Sequence, residues 1–224
     1  MKKLILTMGL VTASLICGFS QVKEGSINYS IDFEGLPEQQ AAMMKGLEMK
    51  QYYKNGKVRM ENIMAFGTTT TIVDEKGNTT ILSDMMGAKK YATVSAADAE
   101  KKDKKKKKTE DPKITYSNEK KTIANYECKK ALIETKSDEG EVMKSEVWYC
   151  EELQFPQVGS GEKQFKGLKG APLEFSMNVS NGIKMIMKAS QVSTSPVSNS
   201  KFEVNTTGYD KMSEEEMKQM SGGR

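Results

Sequence analysis

The chain has 224 residues, 29% of them charged and 37% hydrophobic, with no histidine and a mean hydropathy of −0.59. This gives a soluble chain of one domain or two small ones, and it excludes Ser-His-Asp and Cys-His catalysis, histidine metal ligation and histidine pH switching. The net charge of +4 is local: Lys101–Lys108 alone holds seven lysines and one aspartate, so the balance does not argue for nucleic acid.

Residues 1–20 read as a secretory leader. Lys2 and Lys3 give the positive start, Leu4 to Ile16 an apolar run too short for a bilayer span, and Gly18 and Ser20 the small residues before a cut at Gln21. Lipid anchoring through Cys17 is disfavoured, because Ser14 and Ile16 stand where a lipobox wants a leucine-like and a small residue. Residues 21–224 are expected to form one periplasmic or secreted domain.

Ile27, Tyr29, Ile31 and Phe33 alternate with Asn28, Ser30 and Asp32, the period of a half-buried strand. Residues 36–47 read as a short helix with Pro37 near its first turn and Met43, Met44 and Leu47 on one face. Asn55-Gly56 then marks a hairpin whose register sets Tyr53 beside Val58, Gln51 beside Met60 and Lys50 beside Glu61. Thr69–Asp74 and Thr79–Leu82 flank a second turn, and Lys89–Val94 is a further strand. Residues 95–112 break the pattern as a lysine-rich insertion, with some helix at Ala96–Lys102 and a like-charge block expected to be mobile.

Strands resume at 113–117 and 121–126, followed by a hairpin that carries Cys128 and Cys150. A three-residue loop Asp138-Glu139-Gly140, with glycine in the left-handed position of a bulge turn, sets Cys128 opposite Cys150 and Glu134 opposite Lys144. The expectation is a cross-strand disulfide, with two reduced cysteines packed as small hydrophobes as the alternative. Leu173, Phe175, Met177 and Val179 then return through Asn181-Gly182 to Ile183, Met185, Met187 and Ala189, with one face apolar throughout. A strand at Lys201–Asn205 precedes a last helix, with Ser213 and Glu216 as capping box and Met212 and Met217 as staple. About ten strands with tight turns imply antiparallel neighbours in a large curved sheet. Its inner face needs a cover, and 36–47 and 95–112 are the obvious ones.

Ile123-Ala124-Asn125-Tyr126-Glu127-Cys128-Lys129-Lys130-Ala131, followed by Glu146-Val147-Trp148-Tyr149-Cys150, resembles a pattern of the secreted Bacteroidota domain-of-unknown-function family 4412. Phe165 to Glu174 is similar in part to the Gly-Leu-Pro-Gly-Leu-Ile signature of a related exported group, with Lys169 and Ala171-Pro172 departing from it. The resemblance implies a fold like the periplasmic lipoprotein carriers: mainly β with minor α, an open antiparallel half-barrel with short helices over its concave face. It carries over no catalytic residue.

Methionine suits irregular or promiscuous apolar surfaces. Met60, Met177, Met185 and Met187, with Met43 and Met44 on the covering helix, therefore read either as the lining of a hollow for lipid or as core filling. A Cu(I) site at Met177, Met185 and Met187 has no cysteine or histidine near it in sequence, and no metal or cofactor is expected. Lys101–Lys108 suits an anionic membrane surface or a solvated loop; without interleaved aromatics it does not suit nucleic acid. Glu151-Glu152 and Glu214-Glu215-Glu216 are surface runs, and Cys128 beside Lys129 and Lys130 is a nucleophile only if reduced, so no enzyme is expected.

The leading expectation is therefore a monomeric binding protein for an apolar or acyl ligand. Ile27, Tyr29, Ile31, Met60, Leu173, Phe175, Met177, Met185 and Met187 would line its hollow, under a lid of Met43, Met44 and Leu47. The other is an envelope scaffold with a filled core. A continuous apolar cavity of at least about 300 Å³ separates the two.

Overall fold

The computed structural model describes residues 24–105, 110–136, 142–155, 164–180 and 182–220. The leader, the loop Asp138-Glu139-Gly140 and Asn181 lie outside them. Alternating runs become strands wherever a turn joins them. β1 (Glu24–Glu34) and α1 (Glu38–Met43) lead into a meander of β2 (Glu48–Lys54), β3 (Lys57–Met64), β4 (Gly67–Val73), β5 (Thr79–Met85) and β6 (Ala88–Val94). After α2 (Ala96–Lys105) come β7 (Lys113–Ile123), β8 (Tyr126–Lys136), β9 (Val142–Cys150), β10 (Ala171–Ser180) and β11 (Ile183–Ser193). The 3-10 turn η1 (Asn199–Phe202), β12 (Asp210–Lys211) and α3 (Glu214–Met220) follow.

These strands form one open sheet in the order β12-β6-β5-β4-β3-β2-β1-β11-β10-β9-β8-β7. Neighbours are antiparallel except β12, which runs parallel to β6. β1 sits in the middle, paired on one side with β2 and on the other with β11, so that Ser26 meets Ser193 and Glu34 meets Lys184. The two meanders are joined there.

Several registers are those the sequence predicts. Asn55 and Gly56 have φ of +50° and +81°, the left-handed pair of a type I′ turn, and Tyr53, Gln51 and Lys50 face Val58, Met60 and Glu61. Across β8 and β9, Glu134 faces Lys144 with 3.0 Å between their charged atoms, and Lys129 faces Tyr149, a register that extends to Cys128 and Cys150. In the capping box, the Ser213 amide donates to Glu216 Oε2 at 2.7 Å and the Glu216 amide to Ser213 Oγ at 3.2 Å.

Two expected strands, 113–117 and 121–126, are instead the single β7 and the start of β8, with the turn at Ala124-Asn125 and a register shift between Tyr116 and Lys120. Lys201–Asn205 is not a strand. Its chain lies against the outer face of the sheet, where Arg59 Nη1 donates to the Lys201 carbonyl at 3.0 Å and Lys201 Nζ sits 4.5 Å from the Tyr52 ring centre.

The cover of the inner face is also a correction. α1 buries none of its residues and Met43 is 72% exposed. The helix is a six-residue connection between the ends of β1 and β2, so it is not a lid. The layer over the inner face comes from the connection between β9 and β10, whose Leu153, Phe155 and Phe165 are buried. Phe155 stacks on Tyr53 with ring centres 4.5 Å apart, and Phe165 meets Phe175 edge-on at 4.9 Å.

Gly25 is what lets Phe155 approach. A Cβ at Gly25 would lie 2.5 Å from the Ser193 carbonyl oxygen and 2.7 Å from the Phe155 ring. Gly25→Ala is expected to lower stability by about 1–3 kcal/mol, read as a lower urea midpoint at unchanged slope.

Candidate functional site

Between the sheet and this cover lies a hollow of about 250 Å³. β1 supplies Tyr29 and Ile31, β10 and β11 supply Phe175, Met177, Met185 and Met187, and β3 supplies Met60. Strand alternation puts these side chains on one face, and pairing brings Phe175 against Met187 and Met177 against Met185. Met187 in turn faces Ile31 across the β1–β11 junction.

Ile27 and Leu173 lie on the same core but are wholly buried beneath the lining. Leu47 is half-buried and its carbonyl accepts the Ile31 amide at 3.1 Å, while Met43 at the end of α1 and Met44 just after it are exposed. Met49, Gln51, Tyr53 and Asn62 also line the hollow. The predicted β2–β3 register already held that information, since Met60 facing inward carries its partner Gln51 inward too. Gln164, Phe165 and Pro172 come from the connection and the start of β10, where no periodicity marks them; the signal was the presence of large apolar side chains in a glycine-rich loop.

Among the described residues no carboxylate or amine lines this hollow. Its polar atoms bond to one another: the Tyr29 hydroxyl donates to the Pro172 carbonyl at 2.8 Å and the Tyr53 hydroxyl to Gln51 Oε1. Gln51 Nε2 lies 3.7 Å from the Met49 sulfur and 3.8 Å from the Met60 sulfur. Among the described residues no buried side-chain nitrogen or oxygen lacks a partner. Burial pushes both phenols well above their usual range, helped at Tyr29 by the neighbouring Tyr53. A second hollow of about 360 Å³ shares Gln164 and Met177 with the first. It is more polar, lined by Thr135, Met143 and Ser145, with Lys136, Lys144 and Lys184 at its border.

The expected disulfide is not formed. Cys128 and Cys150 are free and fully buried. Facing residues are close enough to bridge, but a bond needs both sulfurs turned toward each other, whereas Cys128 Sγ points to the Tyr126 carbonyl at 3.5 Å. Burial, then Cys150 beside it, pushes the Cys128 thiol up to about 12, and burial raises Cys150 as well. Lys129 and Lys130 are held by Glu151 at 2.6 Å and Glu146 at 3.0 Å, so neither serves as a base for Cys128. In the lysine run, Lys101 is exposed and pairs with Asp98 at 3.5 Å, while Lys106 to Lys108 lie outside the described residues. No helix among the described residues is long and apolar enough to cross a membrane.

Fold and site together define a one-sheet protein whose inner apolar face is only partly covered. The family model for the domain of unknown function DUF4412 matches residues 33–208, and the chain belongs to that family. It is also similar to the solved structure of the lipoprotein LppX of Mycobacterium tuberculosis, at a TM-score of 0.41 and 8% identity, over 77% of this chain and 88% of that one. No curated protein matches the sequence.

Two measurements check the site's electrostatics. Without reductant, a thiol reagent at about pH 8 is expected to find no reactive cysteine in the native protein lacking the leader and its Cys17, and two in denaturant; none in denaturant would establish a disulfide. Tyr29 and Tyr53 have raised folded-state pKa values. Their stabilisation is fully present below about pH 10, the unfolded value, and is lost as pH rises beyond it. Alkaline titration of tyrosine absorbance should therefore show two phenols that ionise only with unfolding.

Proposed function

We propose that this is an exported, non-enzymatic binding protein, acting as a monomer, that holds an apolar or acyl ligand between the sheet and its β9–β10 cover. The observation that carries the reading is an inner face left partly unfilled and lined by Met49, Met60, Met177, Met185 and Met187 with no charged group among them. Thioether side chains are polarizable and turn about three bonds, so such a lining adapts to a flexible chain.

The inner hollow alone falls short of the roughly 300 Å³ at which small-molecule sites begin. Its neighbour of about 360 Å³ shares Gln164 and Met177 with it, and taken together as one trough the two fall inside that range. The scaffold alternative requires a filled core and accounts for this trough less well. An apolar tail fits the inner hollow, and a polar head the outer one with its threonine, serine and lysines. Export rests on the sequence of the leader.

Replacing Met177 and Met185 by glutamate would set two carboxylates facing each other inside the hollow. The double variant is expected to bind a fluorescent fatty-acid probe at least tenfold more weakly, with its circular dichroism unchanged. Native mass spectrometry of the unmodified protein, purified from a bacterial envelope without detergent, should show an adduct of lipid mass that organic extraction removes. Unchanged probe affinity in the double variant would reject the hollow as the site.

A further inference from the structure

The two ends of the sheet differ in chemistry. At the end where β2 meets β3, β4 meets β5 and β7 meets β8, the turns are Asn55-Gly56, Asp74 to Asn78 and Ala124-Asn125, polar or small as exposed turns usually are. At the opposite end the connections carry large apolar side chains into solvent. Phe66 is exposed between β3 and β4, and Met86 between β5 and β6. Met43 and Met44 are exposed on and just after α1, between β1 and β2. Val179 is exposed beside the β10–β11 turn, and Val142 and Met143 at the start of β9. Of the nine exposed large hydrophobics among the described residues, seven stand at this one end.

Met86 shows that folding alone does not ask for this. Met86-Gly87 has φ of +52° and +84°, nearly the values of Asn55-Gly56 at the other end. Asparagine suits that left-handed position; methionine is strained there and, at 88% exposed, gains no packing in return. The Met86 amide donates to the Phe66 carbonyl at 2.9 Å, so the two tips are fixed side by side.

We infer that this rim is a docking surface for the apolar layer of a neutral lipid bilayer. The tips stand in three connections and at the strand ends beside two more, across ten neighbouring strands. At about 4.8 Å per strand they spread over roughly 40 Å as separate points rather than one patch. A fluid bilayer accepts separate points, whereas a protein partner needs a contiguous desolvated centre, usually rich in Tyr, Trp and Arg. Charge selects the kind of bilayer. Four of the lysines beside the tips have carboxylate partners, Lys89 with Asp84 at 3.6 Å, Lys184 with Glu34 at 3.3 Å, Lys144 with Glu134 at 3.0 Å and Lys136 with Glu110 at 2.8 Å, and the exposed Lys45 beside Met44 is accompanied on α1 and at the start of β2 by Glu38 and Glu48. A charge-balanced rim complements zwitterionic headgroups, not a polyanion. The outer hollow, bordered by Lys136, Lys144 and Lys184, lies at this same end. The inference stands apart from the ligand reading, because docking needs no ligand.

The test is flotation of the mature chain with phosphatidylcholine vesicles. The wild type is expected to float with them, and raising ionic strength from about 0.05 to 0.5 M should not release it. Phe66→Ser with Met86→Asn should cut the bound fraction at least tenfold. Met86→Asn alone should raise Tm by about 2 °C, since it gives the turn its preferred residue. Opposite signs for binding and stability separate a docking role from a structural one. Met177→Glu with Met185→Glu should leave flotation unchanged, so that failure of the hollow and failure of the rim are read separately. Equal flotation of the Phe66/Met86 variant, binding only to anionic vesicles with release by salt, or a wild-type dimer that this variant abolishes in the absence of vesicle binding would each overturn the inference.

Discussion

The stack of Phe155 on Tyr53 and the edge-on contact of Phe165 with Phe175 fasten the β9–β10 connection to the sheet. A sheet with one apolar face must bury that face against a second layer. In this chain the layer is a loop, and a loop covers less than a helix pair or a second sheet. Where its aromatic side chains land, the face is core: Ile27, Val147, Leu173 and Ala189 are almost wholly buried. Past Phe165 the same strands continue with Met177 and Met185, which are only partly covered. Core and hollow are thus one surface, divided by how far the connection reaches.

Strand pairing was legible because it depends on neighbours. The Asn-Gly turn fixed the β2–β3 register, and the register expected for the cysteine hairpin is the one in which β8 pairs with β9. A period of two sets Tyr29 and Ile31 of β1, Phe175 and Met177 of β10, and Met185 and Met187 of β11 on one face, and in the structure these side chains surround one hollow. The cover was not legible, because it depends on contacts between residues far apart with no repeating pattern. Met43, Met44 and Leu47 make a plausible helical stripe, yet what keeps α1 off the sheet is its position at the ends of β1 and β2, not its amphipathicity. Phe165 sits among the glycines between Gly159 and Gly170 and Phe155 just before them, where no periodicity marks either as core. The cysteines fall between these cases. Their register could be read, but the direction each sulfur turns depends on side-chain rotation, which register does not determine.

The outer face has a different economy. Trp148 lies under Lys121, with the ammonium 4.3 Å from the ring centre, and Lys121 also binds Glu174 at 2.5 Å. Next to it, Lys130 reaches Glu146 and Glu119 at 3.0 and 3.5 Å. Cross-strand pairs of opposite charge support the sheet from the side that water reaches. They keep these charges where water still solvates them, so little of their hydration is given up.

The central position of β1 also sets an order of events. In a chain made from its N-terminus, β1 can pair with β2 almost at once, and the meander through β6 needs only local hairpins. Its other edge stays unpaired until β11 exists, since Ser26 waits for Ser193. Long-range strand pairing is slow, and an open edge during that interval invites pairing with other chains. Final assembly is thus a late docking of two preformed halves along β1. A chaperone that shields β1 would act on the whole fold through one strand, and a truncation that removes β11 would leave the first half with a permanently adhesive edge.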